Sequence, residues 1–242
     1  MRFRKAIFII HGFAGGTWDH QYLANELQFC KNFDVFNITL PGHDKLTLSH
    51  IKRQMWIKAV EDYMDMLISH GYKQIYVIGH SMGGILATHL AGKYKEVKKL
   101  VLLAPAFRYL IFKEDKFKLI SSLKEIPKIL KDYDSSDIVT RIKKMPLPVI
   151  FEFMNLAKEH YNDIKKVTCK TLIIQGNNDL IVPKSSSLYI HNECFSKVNI
   201  LVTLDNVNHD VINGKRGEFI TVIIKKFLKK KIIKKQKKII EK

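Results

Sequence analysis

The feature that most constrains this chain is a regular alternation of short apolar, β-branched runs with longer segments of helical period. The runs are Ala6–Ile10, Asp34–Ile38, Gln74–Ile78, Leu100–Leu103, Thr171–Gln175 and Asn199–Thr203, and several are apolar at consecutive positions. A strand with one wet face alternates polar and apolar residues, whereas a strand covered on both faces need not. Between the runs lie helical segments at Trp18–Phe29, Ile51–Ser69, Met82–Tyr94 and Lys184–His191, with a last one from about Lys215 into the C-terminal tail. The pattern predicts an α/β fold with a mostly parallel central sheet of about six strands and helices on both faces. At 242 residues, one large domain can bury such a sheet.

One stretch breaks the rhythm. From Phe107 to about Lys166 the chain has helical character and no convincing strand, with helices expected at Lys116–Ile129 and Pro148–Tyr161 around a polar joint at Asp132–Asp137. An insertion this long within a compact domain is usually functional. The expected organisation is therefore a core of residues 1–106 and 167–228, a helical cap at 107–166, and a lysine-rich extension at 229–242.

The net charge of +18 raises the question of a polyanionic partner. Residues 225–242 hold ten Lys and one Glu, which is half of that excess. No zinc-finger spacing, phosphate loop or aromatic-basic sheet signature accompanies it. The charge is read as a solvated surface, with no specific nucleic acid as partner. Placed on a helical wheel, Leu228, Ile232, Ile233, Ile239 and Ile240 of the tail fall on one arc and six lysines on the other. A basic amphipathic helix of that kind can lie on an anionic membrane, so peripheral contact there is one expectation. Cys30, Cys169 and Cys194 are odd in number and lack CxxC spacing, as free thiols in a reducing compartment would be. With an N-terminal apolar run of only Ala6–Ile10, a cytoplasmic location is expected.

The strongest local motif is Gly79-His80-Ser81-Met82-Gly83, a G-x-S-x-G run between an apolar strand and a helix-like segment. Two residues without Cβ allow a tight turn that exposes Ser81 at its apex, with the N–H of Met82 opening the helix beside it. A serine hydroxyl is a poor nucleophile without a base. His209 lies just beyond the sixth run and Asp179 just beyond the fifth, where loops at the carboxyl edge of a parallel sheet would carry them. Asp205 and Asp210 are rivals for the acid role, but both are too near His209 in sequence to approach its ring from across a site. Developing negative charge on a carbonyl oxygen also needs donors. Met82 offers one N–H, and Phe13, in His11-Gly12-Phe13-Ala14-Gly15-Gly16, is the natural second.

These residues resemble the carboxylesterase and monoacylglycerol-lipase branch of the α/β-hydrolases, in particular small bacterial carboxylesterases. The landmarks are His11-Gly12-Phe13, Pro41-Gly42-His43, Gly79 to Gly84, Leu103-Ala104-Pro105, Asp179 with Pro183, and His209, spread over nearly the whole chain. Two departures are Asp44 after the Pro-Gly-His segment, where the family often has Gly, and Asn208 before the base, where Gly is common. The resemblance implies a Ser81–Asp179–His209 triad, oxyanion donors at Phe13 and Met82, and no metal or organic cofactor. It implies a small ester or lipid as substrate, and leaves the oligomeric state open. Phe107, Phe112, Phe151 and Phe153 of the insertion would line an acyl pocket. Other uses of the same triad are thioester, lysophospholipid or carbon–carbon hydrolysis. A non-catalytic binding protein on this fold is a different reading, as is DNA retention through the basic tail.

Overall fold

Every strand expected from an apolar run forms, with ends that differ from the run by up to three residues. The computed structural model describes residues 4–43, 50–108, 141–142, 145–230 and 236–242. Its strands are β1 (Lys5–Ile10), β2 (Phe33–Ile38), β3 (Ile75–His80), β4 (Val97–Leu103), β5 (Lys170–Gly176), β6 (Val198–Leu204) and β7 (Gln236–Glu241). Its helices are α1 (Gln21–Gln28), α2 (Arg53–Ser69), α3 (Met82–Lys93), α4 (Leu147–Glu159), α5 (Lys184–Glu193) and α6 (Gly217–Lys229). Short 3₁₀ turns at Thr17–His20 and Asp163–Lys166 complete the described elements. The expected helix at 116–129 and the joint at 132–137 lie outside the described residues, as do Asp44 and Phe112. Among the described residues no helix is long and apolar enough to cross a membrane.

The strands form one seven-stranded sheet in the order β2-β1-β3-β4-β5-β6-β7. Every pairing is parallel, so the sheet is wholly parallel. All residues of β3 and β6 are buried, which is why Ile75–Ile78 and Ile200–Val202 run apolar without alternation. Successive side chains still divide between two cores. Ala6, Phe8 and Ile10 of β1 join Trp56, Val60 and Met64 of α2 and Ile85, Leu86 and Leu90 of α3. Ile7 and Ile9 join Leu23 and Leu27 of α1 and Ile220, Ile224 and Phe227 of α6 on the other face. Each such side chain, fully buried, contributes roughly 1.5–3 kcal/mol through its removal from water.

The order in which strands are added switches sides at β1 and β3, β1 leading outward to β2 and β3 leading the other way to β4. The connections leaving their carboxyl ends therefore diverge to opposite sides and open a crevice there. Within the insertion, α4 is tied to the core through Glu152. That carboxylate accepts from Lys52 Nζ (3.2 Å), Arg53 Nη1 (3.1 Å) and the Arg53 amide (3.2 Å), while Arg53 Nε also donates to Glu159 (2.7 Å).

The tail corrects the sequence reading. Residues 236–241 form β7, not an amphipathic helix, and pair with β6 in the register Leu201↔Ile239 and Val202↔Ile240. Helix α6 ends at Lys229, and Lys99 Nζ on β4 donates to the terminal carbonyls of Phe227, Leu228 and Lys230 at 2.7–3.0 Å. Spaced isoleucine pairs fit either period, and the unpaired edge of β6 decides in favour of a strand. The helical geometry behind the membrane expectation is thereby removed for these residues.

Candidate active site

Ser81 follows β3 directly and caps α3 at φ 52°, ψ −116°, a conformation that costs a non-glycine residue about 1–3 kcal/mol. The surroundings over-determine it. The Ser81 amide donates to the Leu103 carbonyl at 2.9 Å, and its own carbonyl accepts from Gly84 (2.9 Å) and Ala106 (3.2 Å). Close approach explains the flanking glycines: a Cβ on Gly79 would lie 2.2 Å from the Gly83 oxygen, and one on Gly83 would lie 2.2 Å from the Ile10 oxygen. The turn thus presses strand, helix and the end of β1 together, as the motif suggests.

The loop after β5 carries Asp179 and the loop after β6 carries His209, and they meet. His209 Nδ1 donates to Asp179 Oδ2 at 2.8 Å. Oδ2 also accepts from Gln175 Nε2 (3.1 Å), and Oδ1 accepts from the amides of Ile181 and Val182, each at 2.9 Å. Burial pushes the Asp179 carboxyl up, but the His209 charge and hydrogen bond, with the two amides, outweigh it and hold it below the usual range. Asp179 is therefore an ionised acceptor with every lone-pair direction committed. The rivals are engaged elsewhere, Asp205 with Asn177 and Asp210 with Asn213. Gly176 lets the two loops approach: a Cβ there would lie 2.1 Å from the Val207 oxygen.

Ser81 is joined to the His209 loop through its neighbour. His80 Nε2 donates to the His209 carbonyl at 2.9 Å, and the two rings lie 5.0 Å apart. Burial, then the nearby His209 charge, lowers the His80 pKa to about 4, so its ring is neutral in neutral water and supports the loop without competing as a base.

The third wall is the loop after β1. A Cβ on Gly12 would lie 3.0 Å from Ser81 Cβ, which sets this loop against the serine. His11 is buried, and desolvation followed by the His43 charge lowers its pKa to about 3. Neutral His11 accepts the Leu40 amide at Nε2 (2.9 Å), which leaves Nδ1 to donate to the Gly12 carbonyl (2.7 Å). Phe13 stacks on Phe153 of α4 with centroids 5.0 Å apart. Of the other insertion aromatics named from sequence, Phe107 is buried in the same core cluster as Phe13 and Phe151 is exposed.

Several supporting residues were not foreseen. Gln175 gave a weak signal, a polar residue ending an apolar buried run. It donates to Asp179 and accepts from Ser187 Oγ at 2.8 Å. Asp19 and Arg141, which hold the loop after β1, gave none.

One group away from Ser81 brings possible metal ligands together: His89, His160 and Asp163 place ligand atoms within 4.8 Å of one another. Its bonding fits an ion-pair clamp instead. His89 donates from Nδ1 to Asp163 (3.1 Å) and from Nε2 to Glu61 (2.7 Å), which uses both nitrogens that a metal would need bare. Lys93 and Lys166 add positive charge on the same two carboxylates, and His160 donates to Asp163. Burial pulls the His89 pKa down, but its hydrogen bonds to the two carboxylates outweigh that and raise it above 6.5. A raised folded pKa stabilises fully below the unfolded value and is lost as pH climbs through the folded one. The Tm gap between wild type and His89→Gln should therefore be widest in mildly acidic solution and narrow as pH climbs above the ordinary imidazole range. A constant gap would contradict a charged imidazole.

Comparison with known proteins places this arrangement. The family model described as serine aminopeptidase, S33 (Hydrolase_4) matches residues 2–216. A carboxylesterase of Bacillus subtilis (strain 168) is 24% identical over 232 residues, 93% of each chain. The crystal structure of the Paleococcus ferrophilus monoacylglycerol lipase superposes with a TM-score of 0.72 at 18% identity, covering 93% of this chain and 96% of that one. An esterase from Exiguobacterium antarcticum gives 0.68 at 18%, covering 95% and 94%. At these identities the two structures speak to the fold.

Proposed function

Because this chain belongs to the serine aminopeptidase, S33 family of hydrolases, we propose that it cleaves carboxylic esters with Ser81 as nucleophile, His209 as general base and Asp179 holding the imidazole. It is an enzyme of the carboxylesterase and lipase class. The observation that carries the triad is the buried 2.8 Å bond from His209 Nδ1 to a fully engaged Asp179 carboxylate, on the loop that His80 ties to the nucleophile.

In the proposed reaction His209 Nε2 takes the Ser81 proton as Oγ attacks the ester carbonyl. The N–H groups of Phe13 and Met82 receive the charge that develops on the carbonyl oxygen, Met82 offering one of the first amides of α3 that no helical bond uses. The imidazolium, steadied by Asp179, then protonates the leaving alcohol. Water, deprotonated by the same imidazole, attacks the acyl-enzyme and releases the acid.

The likeness to the Bacillus carboxylesterase and the Paleococcus monoacylglycerol lipase supports a short- or medium-chain ester or a monoacylglycerol as substrate. Residues 107–166 are read as a cap, with α4 carrying Phe153 to the site. The three cysteines form no disulfide, with Cys30 and Cys194 buried, which fits a reducing compartment such as the cytoplasm. A fluorophosphonate probe should label this protein at Ser81. A p-nitrophenyl ester series of increasing acyl length, run beside an acyl thioester, should give turnover that peaks at one chain length. Labelling elsewhere, or none, would overturn the assignment of the nucleophile.

A further inference from the structure

The loop that carries Phe13 is gripped from outside the core sheet. Arg141, in the insertion between β4 and β5, donates through Nη1 to the Ala14 carbonyl at 3.0 Å. Its Nη2 donates to Asp19 Oδ1 at 2.9 Å, with a longer bond from Nη1 to Oδ2 at 3.3 Å. Asp19 Oδ2 in turn accepts the Gly16 amide at 3.1 Å. The Asp19 side chain is 9% exposed and that of Arg141 25%, so this forked pair is largely shielded from water. The backbone of Asp19 is held as well, since its carbonyl accepts from Asn213 Nδ2 (3.0 Å) in the loop that follows His209.

The loop needs that grip. Ala14 stands at φ 58°, where an L side chain crowds its own carbonyl. The bond from Gly15 N to Gly12 O (3.1 Å) closes the turn, but among the described bonds only Arg141 Nη1 holds the carbonyl of Ala14 itself. Without it the Ala14–Gly15 peptide can shift; its N–H is bonded to the carbonyl of the Gly12–Phe13 peptide, the one that bears the Phe13 N–H, so that donor shifts with it. We infer that Arg141, paired with Asp19, is a positioning residue for the oxyanion donor at Phe13, so that the insertion sets reaction rate as well as substrate fit. The inference rests on the proposed role of the Phe13 N–H. A guanidinium is suited to the task because one planar fork can satisfy a carbonyl and a carboxylate together, which an ammonium cannot match.

The test uses the full-length enzyme and Arg141→Met, Arg141→Lys, Asp19→Asn and the Arg141→Met/Asp19→Asn pair, with p-nitrophenyl esters and an alkyl boronic acid that forms a tetrahedral serine adduct. Displacing a donor by about 1 Å costs on the order of a hundredfold, so Arg141→Met should lower kcat by roughly ten- to a hundredfold with KM nearly unchanged. Boronate affinity should fall by the same factor as kcat/KM, Lys should restore part of the loss, and the double variant should lose little more than either single one. Asp19→Asn provides the same readings if Arg141→Met does not fold. Wild-type kcat in the folded variants, a loss confined to KM, or additive losses would each overturn the inference. Ser81→Ala in the same assay separates the two ideas. If it is inactive while Arg141→Met is fully active, only the positioning role fails; if it stays active, the proposed site itself fails.

Discussion

Ser81→Ala should lower kcat for ester hydrolysis by about 10⁴- to 10⁶-fold while leaving KM and Tm close to wild type. The variant removes one oxygen from a residue that is 6% exposed and leaves its backbone bonds to Leu103, Gly84 and Ala106 intact. Alanine must adopt the same φ 52° that serine does, so the strain in the turn is unchanged and folding has no new cost. His209, Asp179 and the proposed donors at Phe13 and Met82 also stay in place. Some residual turnover is expected for that reason, because positioned donors and a bound ester still accelerate attack by water. Steady-state rates on purified variant, corrected by active-site titration for traces of wild-type enzyme, measure the effect. Activity within tenfold of wild type would mean that another group attacks the ester.

Asp179→Asn is expected to cost about 10⁴-fold in kcat, and the hydrogen-bond pattern says why. Oδ1 faces two backbone amides, those of Ile181 and Val182, so the single oxygen of an asparagine will settle there. The NH₂ group then occupies the place of Oδ2, opposite His209 Nδ1 and Gln175 Nε2. A donor now faces Nδ1, which must turn from donor to acceptor, and the ring proton moves to Nε2. That nitrogen can no longer take the proton of Ser81. The new NH₂ also abuts the Gln175 amide, which donates to the Val182 carbonyl at 3.1 Å as well. Fluorophosphonate labelling should slow in parallel with kcat, since both reactions need the same base. Slow turnover with labelling at the wild-type rate would place the role of Asp179 elsewhere.

The strands were legible because a parallel sheet covered on both sides leaves a plain trace of consecutive branched, apolar residues. Their ends were less so: β3 runs on through Gly79 and His80, neither of which has the look of a strand. β7 was missed because its isoleucines suit two periods and its partner edge is not visible locally. The residues proposed to do chemistry were legible through order along the chain, serine, then acid, then histidine, each following a separate strand. Their supports were not. Asp19 and Arg141 are 122 positions apart, and nothing near either residue announces the other. The place of an aromatic residue in the insertion was not legible either: Phe107 is fully buried, Phe151 is exposed, and Phe153 stacks on Phe13.

The last strand gives the lysine-rich tail a different meaning. β7 runs along the outer rim of the sheet with Lys237 and Lys238 turned to solvent, while Ile240 lies against the inner layer. A bare apolar rim on β6 would be a template onto which another molecule's backbone could stack, beginning the growth of insoluble ribbons. Covering it with a cationic strip makes such stacking repulsive from the outset.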